Sequence, residues 1–401
     1  MNKLPNGWEE KRLDDLFKEF TEKNHADKNI LASTQDRGVI PSDLLDRHII
    51  RKKESLSNYK LVKKGCFVIS LRSFQGGFEY SNYEGIISPA YTILEPKMKL
   101  VDDFYKYYFK SYYFINKSLP KYAEGIRDGK QIKYKACKEI LVPYPPLDEQ
   151  KRIASALSKI DAYLENTIKL IEEKERFKRG IAKKLLTCKE GENIPEARFK
   201  GFEDEWMEVA ISKIGTIITG NTPSTKNESF WNGNNVWVTP TDVKQKYISN
   251  SERKLTDDGL KKSRKLPANT LLITCIANIG KNAILKCEGA CNQQINAIIP
   301  NKNYNVDFLY YLFENEKSYL KFKAPQSVIK IMSKSEFSKL VFKFPLLEEQ
   351  EKIGEYLSLL DKEIDNLKKQ KELIKEMKIG AMQKLLSGEV RLSKNAFNEN
   401  I

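Results

Sequence analysis

The stretch PPLDEQKRIASALSKIDAYL (145–164) returns in altered form as PLLEEQEKIGEYLSLLDKEI (345–364), 200 residues further along the chain. Between 145–188 and 345–388, 16 of 44 positions are identical without a gap. The identical positions include Pro145/Pro345, Glu149/Glu349, Gln150/Gln350, Ile153/Ile353, Leu157/Leu357, Asp161/Asp361 and Gly180/Gly380. Self-similarity at a fixed period indicates an internal repeat. The chain is therefore predicted to contain two copies of one helical segment.

The segments before these helices match more faintly, at an offset of 204. Gly76/Gly280, Asp103-Phe104/Asp307-Phe308 and Tyr107/Tyr311 coincide, and Trp8 and Trp206 each open a similar amphipathic pattern. We interpret the chain as a tandem duplication of one unit. In each copy a globular module, which differs strongly between the copies, is followed by a helix whose sequence is similar in both. The predicted segments are 1–148, 149–188, 189–347 and 348–401.

The repeated segments have the pattern of long helices. Prolines at 145–146 and 345 precede starts rich in Asp and Glu, which suit the positive end of the helix dipole. Apolar residues then recur at spacings of three and four, as in a coiled-coil seam. Each copy runs for about 38 residues, or roughly 57 Å.

A helix of that length with one apolar stripe needs a partner. The two helices are predicted to pack on each other as an antiparallel spacer; the alternative is that each only caps its own module. Four polar seam positions are expected to loosen the pairing or to face a partner protein: Lys174, Lys178, Lys371 and Lys378.

The modules themselves have a mixed pattern. Short β-rich runs at 65–71, 270–276 and 296–300 alternate with Gly, Asn and Pro turns, and aromatic helical stretches follow at 103–114 and 307–322. The loop from Cys188 to Trp206 links the two halves. The predicted fold class is α+β, with two mixed modules, two long helices and pseudo-twofold symmetry.

The charge balance points toward nucleic acid. Lys and Arg outnumber Asp and Glu by 69 to 54, giving a net charge of +15 spread along the chain. No apolar run reaches the roughly 18–20 residues of a membrane span, so a cytoplasmic location is expected. The six cysteines form no CxxC pair and only His25 and His48 are present. Reduced, mostly buried thiols and no metal site are expected.

Catalytic motifs are not recognisable. The run IGKN (279–282) fails as a P-loop because Cys275 replaces the first glycine and Asn282 follows the lysine. VPYPP (142–146) has the wrong residue order for a methyltransferase motif and lacks a glycine-rich cofactor loop. The chain is therefore predicted to be non-catalytic by itself.

Residues suited to reading DNA lie in polar loops, where amides and hydroxyls can bond phosphates and base edges. The candidates in the second half are Asn221, Thr222, Ser224, Thr225, Lys226, Thr239, Thr241, Lys244, Lys281, Asn292 and Gln293, with Trp231 and Trp237 as apolar anchors. In the first half they are Arg72, Ser73 and Gln75, beside glycines. Ordinary turns remain the alternative for any single residue.

Together these segments resemble the specificity subunits of type I restriction–modification systems. PPLDEQKRIA with its leucine-rich helix, and TGNTPSTKN…FWNG…VWVTPTDV…LLITCIANIGKNAI…CNQQINAII, carry the resemblance, which covers essentially the whole chain. It implies that each variable domain reads one half of a two-part target in double-stranded DNA, while the helices set the gap.

The resemblance also implies partners. Two methyltransferase subunits would carry S-adenosylmethionine, restriction subunits would carry ATP and magnesium, and this chain would carry no cofactor. The conserved helices and the segment after Gly388 would form the docking surface. The helix-start residues assigned to it are Glu149, Gln150, Ile153, Glu349, Gln350 and Ile353.

Three other functions stay open at this point. One is a self-contained restriction or modification enzyme, another is a coiled-coil scaffold without DNA specificity, and a third is the specificity part of a different restriction–modification class. A DNA reader binds its target far more tightly than other DNA at the same salt concentration, whereas a scaffold does not.

Overall fold

The computed structural model describes residues 4–45, 53–70, 73–123, 132–324 and 331–393. The chain divides into two compact units: unit 1 is Met1–Ile168 with Gln370–Ile401, and unit 2 is Lys169–Lys369. Each unit contains one globular module and a part of each long helix.

Unit 1 contains ten strands among its described residues: β1 (Glu9–Arg12), β2 (Phe17–Phe20), β3 (Leu31–Thr34), β4 (Gly38–Pro41), β5 (Lys60–Val62), β6 (Phe67–Ile69), β7 (Glu79–Tyr80), β8 (Gly85–Ile87), β9 (Thr92–Pro96) and β10 (Leu141–Tyr144). They form a four-stranded antiparallel sheet of order β2-β9-β6-β7 and three two-stranded ladders, β1-β10, β3-β4 and β5-β8. Its α-helices are α1 (Leu13–Leu16), α2 (Ser73–Gly76), α3 (Asp102–Tyr108), α4 (Tyr134–Cys137), the first part of α5 (Leu147–Leu186) and the last part of α11 (Leu347–Leu386).

An aromatic core covers this sheet. The Phe67 and Phe109 rings meet edge to face with centroids 5.0 Å apart, and both side chains are fully buried. The predicted strand at 65–71 is confirmed as β6. The helix predicted over 103–114 ends at Tyr108, and the chain turns at 109–111. The Ser111 hydroxyl accepts a hydrogen bond from the Phe114 N–H, and a π-helical turn follows at Phe114–Ser118.

The described strands of unit 2 are β11 (Met207–Ala210), β12 (Gly215–Thr219), β13 (Trp231–Val238), β14 (Tyr247–Ile248), β15 (Lys254–Leu255), β16 (Thr270–Thr274), β17 (Asn282–Leu285), β18 (Gly289–Cys291), β19 (Ile295–Pro300) and β20 (Val341–Phe344). They form a five-stranded sheet of order β12-β19-β16-β17-β14, a three-stranded sheet of order β15-β13-β18, and the ladder β11-β20. Its α-helices are the last part of α5, α6 (Ile211–Ile214), α7 (Asp257–Lys261), α8 (Val306–Asn315), α9 (Lys317–Lys323), α10 (Lys334–Lys339) and the first part of α11 (Leu347–Leu386).

The predicted runs at 270–276 and 296–300 are confirmed as strands β16 and β19. The helical stretch predicted over 307–322 is two helices, α8 and α9. They are separated at Glu316, whose backbone (φ −92°, ψ 11°) leaves the helical region.

The long helices α5 and α11 pack antiparallel, as predicted. In unit 1, Ile153 and Leu157 near the start of α5 share a core with Leu385 and Leu386 at the end of α11. In unit 2 the relation is reversed, and Leu185 at the end of α5 shares a core with residues near the start of α11. Each helix begins two residues after its proline, Pro145 or Pro345.

Three of the seam lysines pair across the helices, contrary to expectation. Lys378 Nζ lies 2.6 Å from Asp161 Oδ1 in unit 1, and Lys178 pairs with the equivalent Asp361 in unit 2. Lys174 Nζ lies 2.8 Å from Glu363 Oε2. Lys371 instead pairs with its neighbour Glu372. Because these ion pairs are partly exposed, each contributes at most about 1 kcal/mol to the free energy of folding. Their main effect is to select the register in which α5 and α11 pack.

All six cysteines are free, and Cys66, Cys137, Cys275 and Cys291 are buried, as predicted. Within the described ranges, no helix is both long and apolar enough to cross a membrane. Nor do three or more His, Cys, Asp or Glu side chains come together there as a metal site.

Candidate nucleic-acid interface

Four loops of unit 2 meet at one edge of its sheets, because the strands that carry them end there. Residues 220–230 follow β12, 239–246 follow β13, 275–281 join β16 to β17, and 292–294 join β18 to β19. We call this set of loops the polar edge.

Backbone hydrogen bonds hold these loops together. The Asn221 N–H donates to the Cys291 carbonyl at 2.9 Å, and the Asn292 N–H donates to the Val238 carbonyl at 2.9 Å. The Cys275 N–H donates to the Gln294 carbonyl at 2.9 Å, which ties the β16–β17 loop to the same group. A loop edge bonded in this way is preorganised for binding.

The predicted DNA-reading side chains of the second module are brought together here. Thr222 donates to Gln293 Oε1 at 2.6 Å, and the hydroxyls of Thr239 and Thr241 lie 2.8 Å apart. Exposed members of the set are Thr222, Ser224, Thr225, Lys226, Thr241, Lys244, Lys281 and Gln293, and half-buried members are Asn221 and Thr239. The edge therefore presents hydroxyls, amides and three ammonium groups.

Asn292 is predicted to contact DNA, but its side chain is buried. It is only 8% exposed, and its amide bonds the side chain and the backbone N–H of Gln294. It shapes the β18–β19 turn and is not available to DNA.

The two tryptophans are also buried, so they cannot serve as exposed anchors. Trp231 and Trp237 meet edge to face with centroids 5.0 Å apart and are 8% and 2% exposed. Their indole N–H groups donate to the carbonyls of Ser224 and Asn221. They support the 220–230 loop from beneath.

Two arginines at this edge were missed. The Arg264 guanidinium donates to the Thr219 carbonyl at 2.5 Å, and its backbone N–H donates to Asn221 Oδ1 at 2.8 Å. The Arg253 guanidinium lies 3.8 Å from the centre of the Trp231 ring. Both side chains are exposed. The basic run KKSRK (261–265) was a usable signal for Arg264, whereas nothing local marked Arg253.

In the first module, Arg72 lies outside the described residues. Ser73 is 1% exposed, and its hydroxyl accepts a hydrogen bond from the Ser70 N–H, so it stabilises the turn and cannot contact DNA. Gln75 is exposed in α2. Lys110 supports this turn by donating to the Gly76 carbonyl at 2.8 Å and to the buried Glu79, whose pKa is raised because burial outweighs the nearby ammonium charge.

Known proteins share this organisation. The family model described as "Type I restriction modification DNA specificity domain" matches residues 5–173 and again 203–376. The chain belongs to the type I restriction–modification DNA specificity family. The two matched segments each span a module and most of the helix after it, which confirms the duplication.

Individual relatives agree. The putative type I restriction enzyme MjaX specificity subunit of Methanocaldococcus jannaschii is 24% identical over 98% of this chain and 96% of its own length. The MjaIX specificity subunit of the same organism is 36% identical, over 43% of this chain and 42% of that protein. The HsdS subunit from Thermoanaerobacter tengcongensis superimposes with a TM-score of 0.58 at 16% identity, covering 97% of this chain and 98% of its own.

The six helix-start residues predicted to bind partners are all buried in this specificity-family chain. Their exposures are 2% or less: Glu149, Gln150, Ile153, Glu349, Gln350 and Ile353. Gln150 accepts from the Val101 N–H, and Gln350 accepts from the Asn305 N–H. In this chain these residues join helix to module, and their side chains are not exposed for a direct contact with a partner.

The two glutamates form equivalent Glu–Arg clasps. In unit 1, Arg391 bonds both oxygens of Glu149 and also the Asn6 carbonyl. Burial opposes ionisation of Glu149, but the hydrogen bonds and charge of Arg391 hold its pKa below the usual range. In unit 2, Arg198 bonds both oxygens of Glu349, at 2.9 and 2.7 Å. In each unit, the segment following one long helix binds the start of the other.

Proposed function

We propose that this chain reads a two-part DNA target, one part with each module, and assembles the subunits that carry out the chemistry. The observation that supports this most is the polar edge of unit 2. Its loops are bonded to one another and present exposed lysines, hydroxyls and amides, which suit phosphates and base edges. The net charge of +15 has the sign needed for DNA.

The partners in this proposal are two methyltransferase subunits and the restriction subunits. S-adenosylmethionine would bind the methyltransferases, and ATP with magnesium would bind the restriction subunits. This chain's part is recognition and assembly, in the cytoplasm.

Exposed apolar side chains support one docking site on each long helix. Phe177 on α5 and Met377 on α11 occupy matching positions and are 52% and 50% exposed. Leu170 and Leu373, one or two helical turns before them on the same face, are 41% and 64% exposed. Exposed apolar clusters of this kind favour protein contacts.

Substituting these positions tests the docking sites. We expect Phe177→Glu and Met377→Glu each to remove one methyltransferase copy, and the double variant to remove both. In each variant a carboxylate replaces an apolar side chain that the docked subunit would bury. The mass of the purified complex, measured by light scattering, reports the copy number. Lys183→Glu, a charge reversal at an exposed position on another face of α5, should leave both copies bound. Full assembly by the double variant would contradict this assignment.

Exposed lysines at the polar edge make a second prediction. Lys244→Ala and Lys281→Ala should each weaken binding of the assembled complex to target DNA and lower the slope of log affinity against log salt by about 0.9, if each contacts one phosphate. The measurement is a salt titration of DNA binding.

Lys213→Ala is the matched control, since Lys213 is exposed beside the opposite end of β12. It should change neither affinity nor slope. An unchanged slope for both edge variants would place the DNA elsewhere.

The proposed function is tested by sequencing modified bases in genomic DNA from cells that express this chain with its neighbouring methyltransferase. The control cells lack only this chain. A new methylated motif in two parts, separated by unspecified bases, is the expected result. Unchanged methylation with an assembled complex would indicate a scaffold whose modules bind something other than DNA.

A further inference from the structure

Lys246 lies at the end of the polar-edge loop 239–246, but its side chain points toward helix α11. Its backbone carbonyl accepts a hydrogen bond from the Ile284 N–H at 2.7 Å, which fixes the loop end to β17. Its ammonium donates to Ser358 Oγ of α11 at 2.6 Å and to the Tyr311 hydroxyl of α8 at 3.1 Å. The side chain is only 10% exposed.

Carboxylates complete the surroundings of this ammonium group. Asp307 Oδ1 lies 2.7 Å from Lys246 Nζ and also accepts a hydrogen bond from the Tyr247 hydroxyl. Tyr311 donates to Asp361 of α11, which in turn pairs with Lys178 of α5. Lys246 therefore connects the polar-edge loop 239–246, helix α8 of the module, and the two long helices.

A buried ammonium group is stable only while its hydrogen-bond and carboxylate partners stay in place. Burial lowers the pKa of Lys246, and the hydrogen bond and charge of Asp307 offset part of that effect. Losing any partner would leave a poorly solvated charge, so the loop and α11 are held in one mutual position.

Unit 1 contains the same tyrosine–aspartate–lysine contacts, but among the residues described there no polar-edge loop supplies the lysine beside its tyrosine. Tyr107 donates to Asp161 at 2.8 Å, and Asp161 pairs with Lys378. Two lysines lie over the Tyr107 ring there: Lys106, a neighbour in α3, with its Nζ 5.7 Å from the ring centre, and Lys378 of α11, at 5.8 Å. The Tyr–Asp–Lys joint is thus common to both units, whereas Lys246 joins a polar-edge loop to it in unit 2.

We propose that Lys246 is a positioning residue that fixes loop 239–245 of the second module on helix α11 and thereby restricts the spacing between the two parts of the DNA target. This rests on the proposed function. Lys246 is inward-facing and acts through the loop, while its neighbours Thr241 and Lys244 face outward.

The experiment measures methylation by the assembled complex on DNA substrates whose two target parts are separated by the preferred spacing or by one base pair more or fewer. Lys246→Met keeps most of the length of the side chain and removes the charged, hydrogen-bonding ammonium group. We expect it to reduce discrimination against the wrong spacings by about tenfold, while the preferred base sequence of each part stays the same. Ser358→Ala, which removes the α11 partner, should shift the profile in the same direction and provides the test if Lys246→Met does not fold.

Lys244→Met is the matched control, two residues away in the same loop but exposed. It should lower methylation at every spacing in proportion, as would a purely structural defect. If Lys246→Met and Ser358→Ala both keep the wild-type spacing profile, the positioning role is wrong. If the wild-type complex itself shows no dependence on a second target part, the proposed function fails instead.

Discussion

Replacing Arg198 with alanine is expected to lower the free energy of unfolding of unit 2 by about 3–5 kcal/mol. The Arg198 and Glu349 side chains are 13% and 2% exposed, and their two hydrogen bonds form a bidentate pair. Without the guanidinium, the carboxylate would stay buried with the Trp206 indole N–H, at 3.2 Å, as its remaining side-chain donor. The bond from Arg198 to the Asp204 carbonyl would be lost as well.

Chemical denaturation of the full chain, followed by tryptophan fluorescence, measures this effect. Arg391→Ala is the matched variant in unit 1, because it breaks the equivalent clasp at Glu149. The Arg391 side chain is 44% exposed, so water can replace it, and a smaller loss of about 1–2 kcal/mol is expected. The double variant Arg198→Ala/Glu349→Gln should recover part of the lost stability, because it removes the unpaired charge. Equal losses from the two single variants would show that burial does not determine the strength of the clasp.

Replacing Gly77 with alanine should destabilise unit 1 by more than about 4 kcal/mol. Gly77 has φ +74°, a conformation that costs an alanine roughly 1–2 kcal/mol. A Cβ atom there would also lie 1.9 Å from the carbonyl oxygen of Phe109, and Phe109 is fully buried in the aromatic core. The chain cannot relieve this overlap without moving that core and the turn that carries Gln75.

Gly180→Ala is the control. Gly180 lies inside helix α5, where an added Cβ would meet no atom within 4 Å, so alanine should stabilise the helix by about 0.5–1 kcal/mol. Thermal unfolding followed by circular dichroism compares the two variants. Wild-type stability of Gly77→Ala would mean that the turn after α2 does not pack against Phe109 as described.

Much of the architecture could be predicted because its signals are local. The prolines at 145 and 345, the acidic first turns and the apolar spacing of three and four define α5 and α11 within a continuous stretch of chain. Strands β16 and β19 were likewise visible as β-rich runs between turn residues. Interruptions within a helical stretch were less visible, as where α3 ends at Tyr108 and the Ser111 hydroxyl bonds the Phe114 N–H of the next turn.

The candidate DNA site was only partly predictable. Polar loops can be identified from composition, and the structure gathers most of those in the second module at one edge. Composition does not show which way a side chain points. Asn292 and Ser73 therefore were expected at the DNA surface but are buried, and Arg253 was missed because its stacking on Trp231 depends on a packed sheet.

By itself, the sequence determined that the chain is a duplication, where its long helices begin, and which positions both copies share. It could not determine why Glu149 and Glu349 are shared, since the partner of Glu149 is 242 residues away in the chain. Only the tertiary structure showed that these two glutamates form ion pairs within the chain and that Phe177 and Met377 are exposed. Helix patterns arise from neighbours in sequence, whereas burial and ion pairing arise from contacts between distant segments.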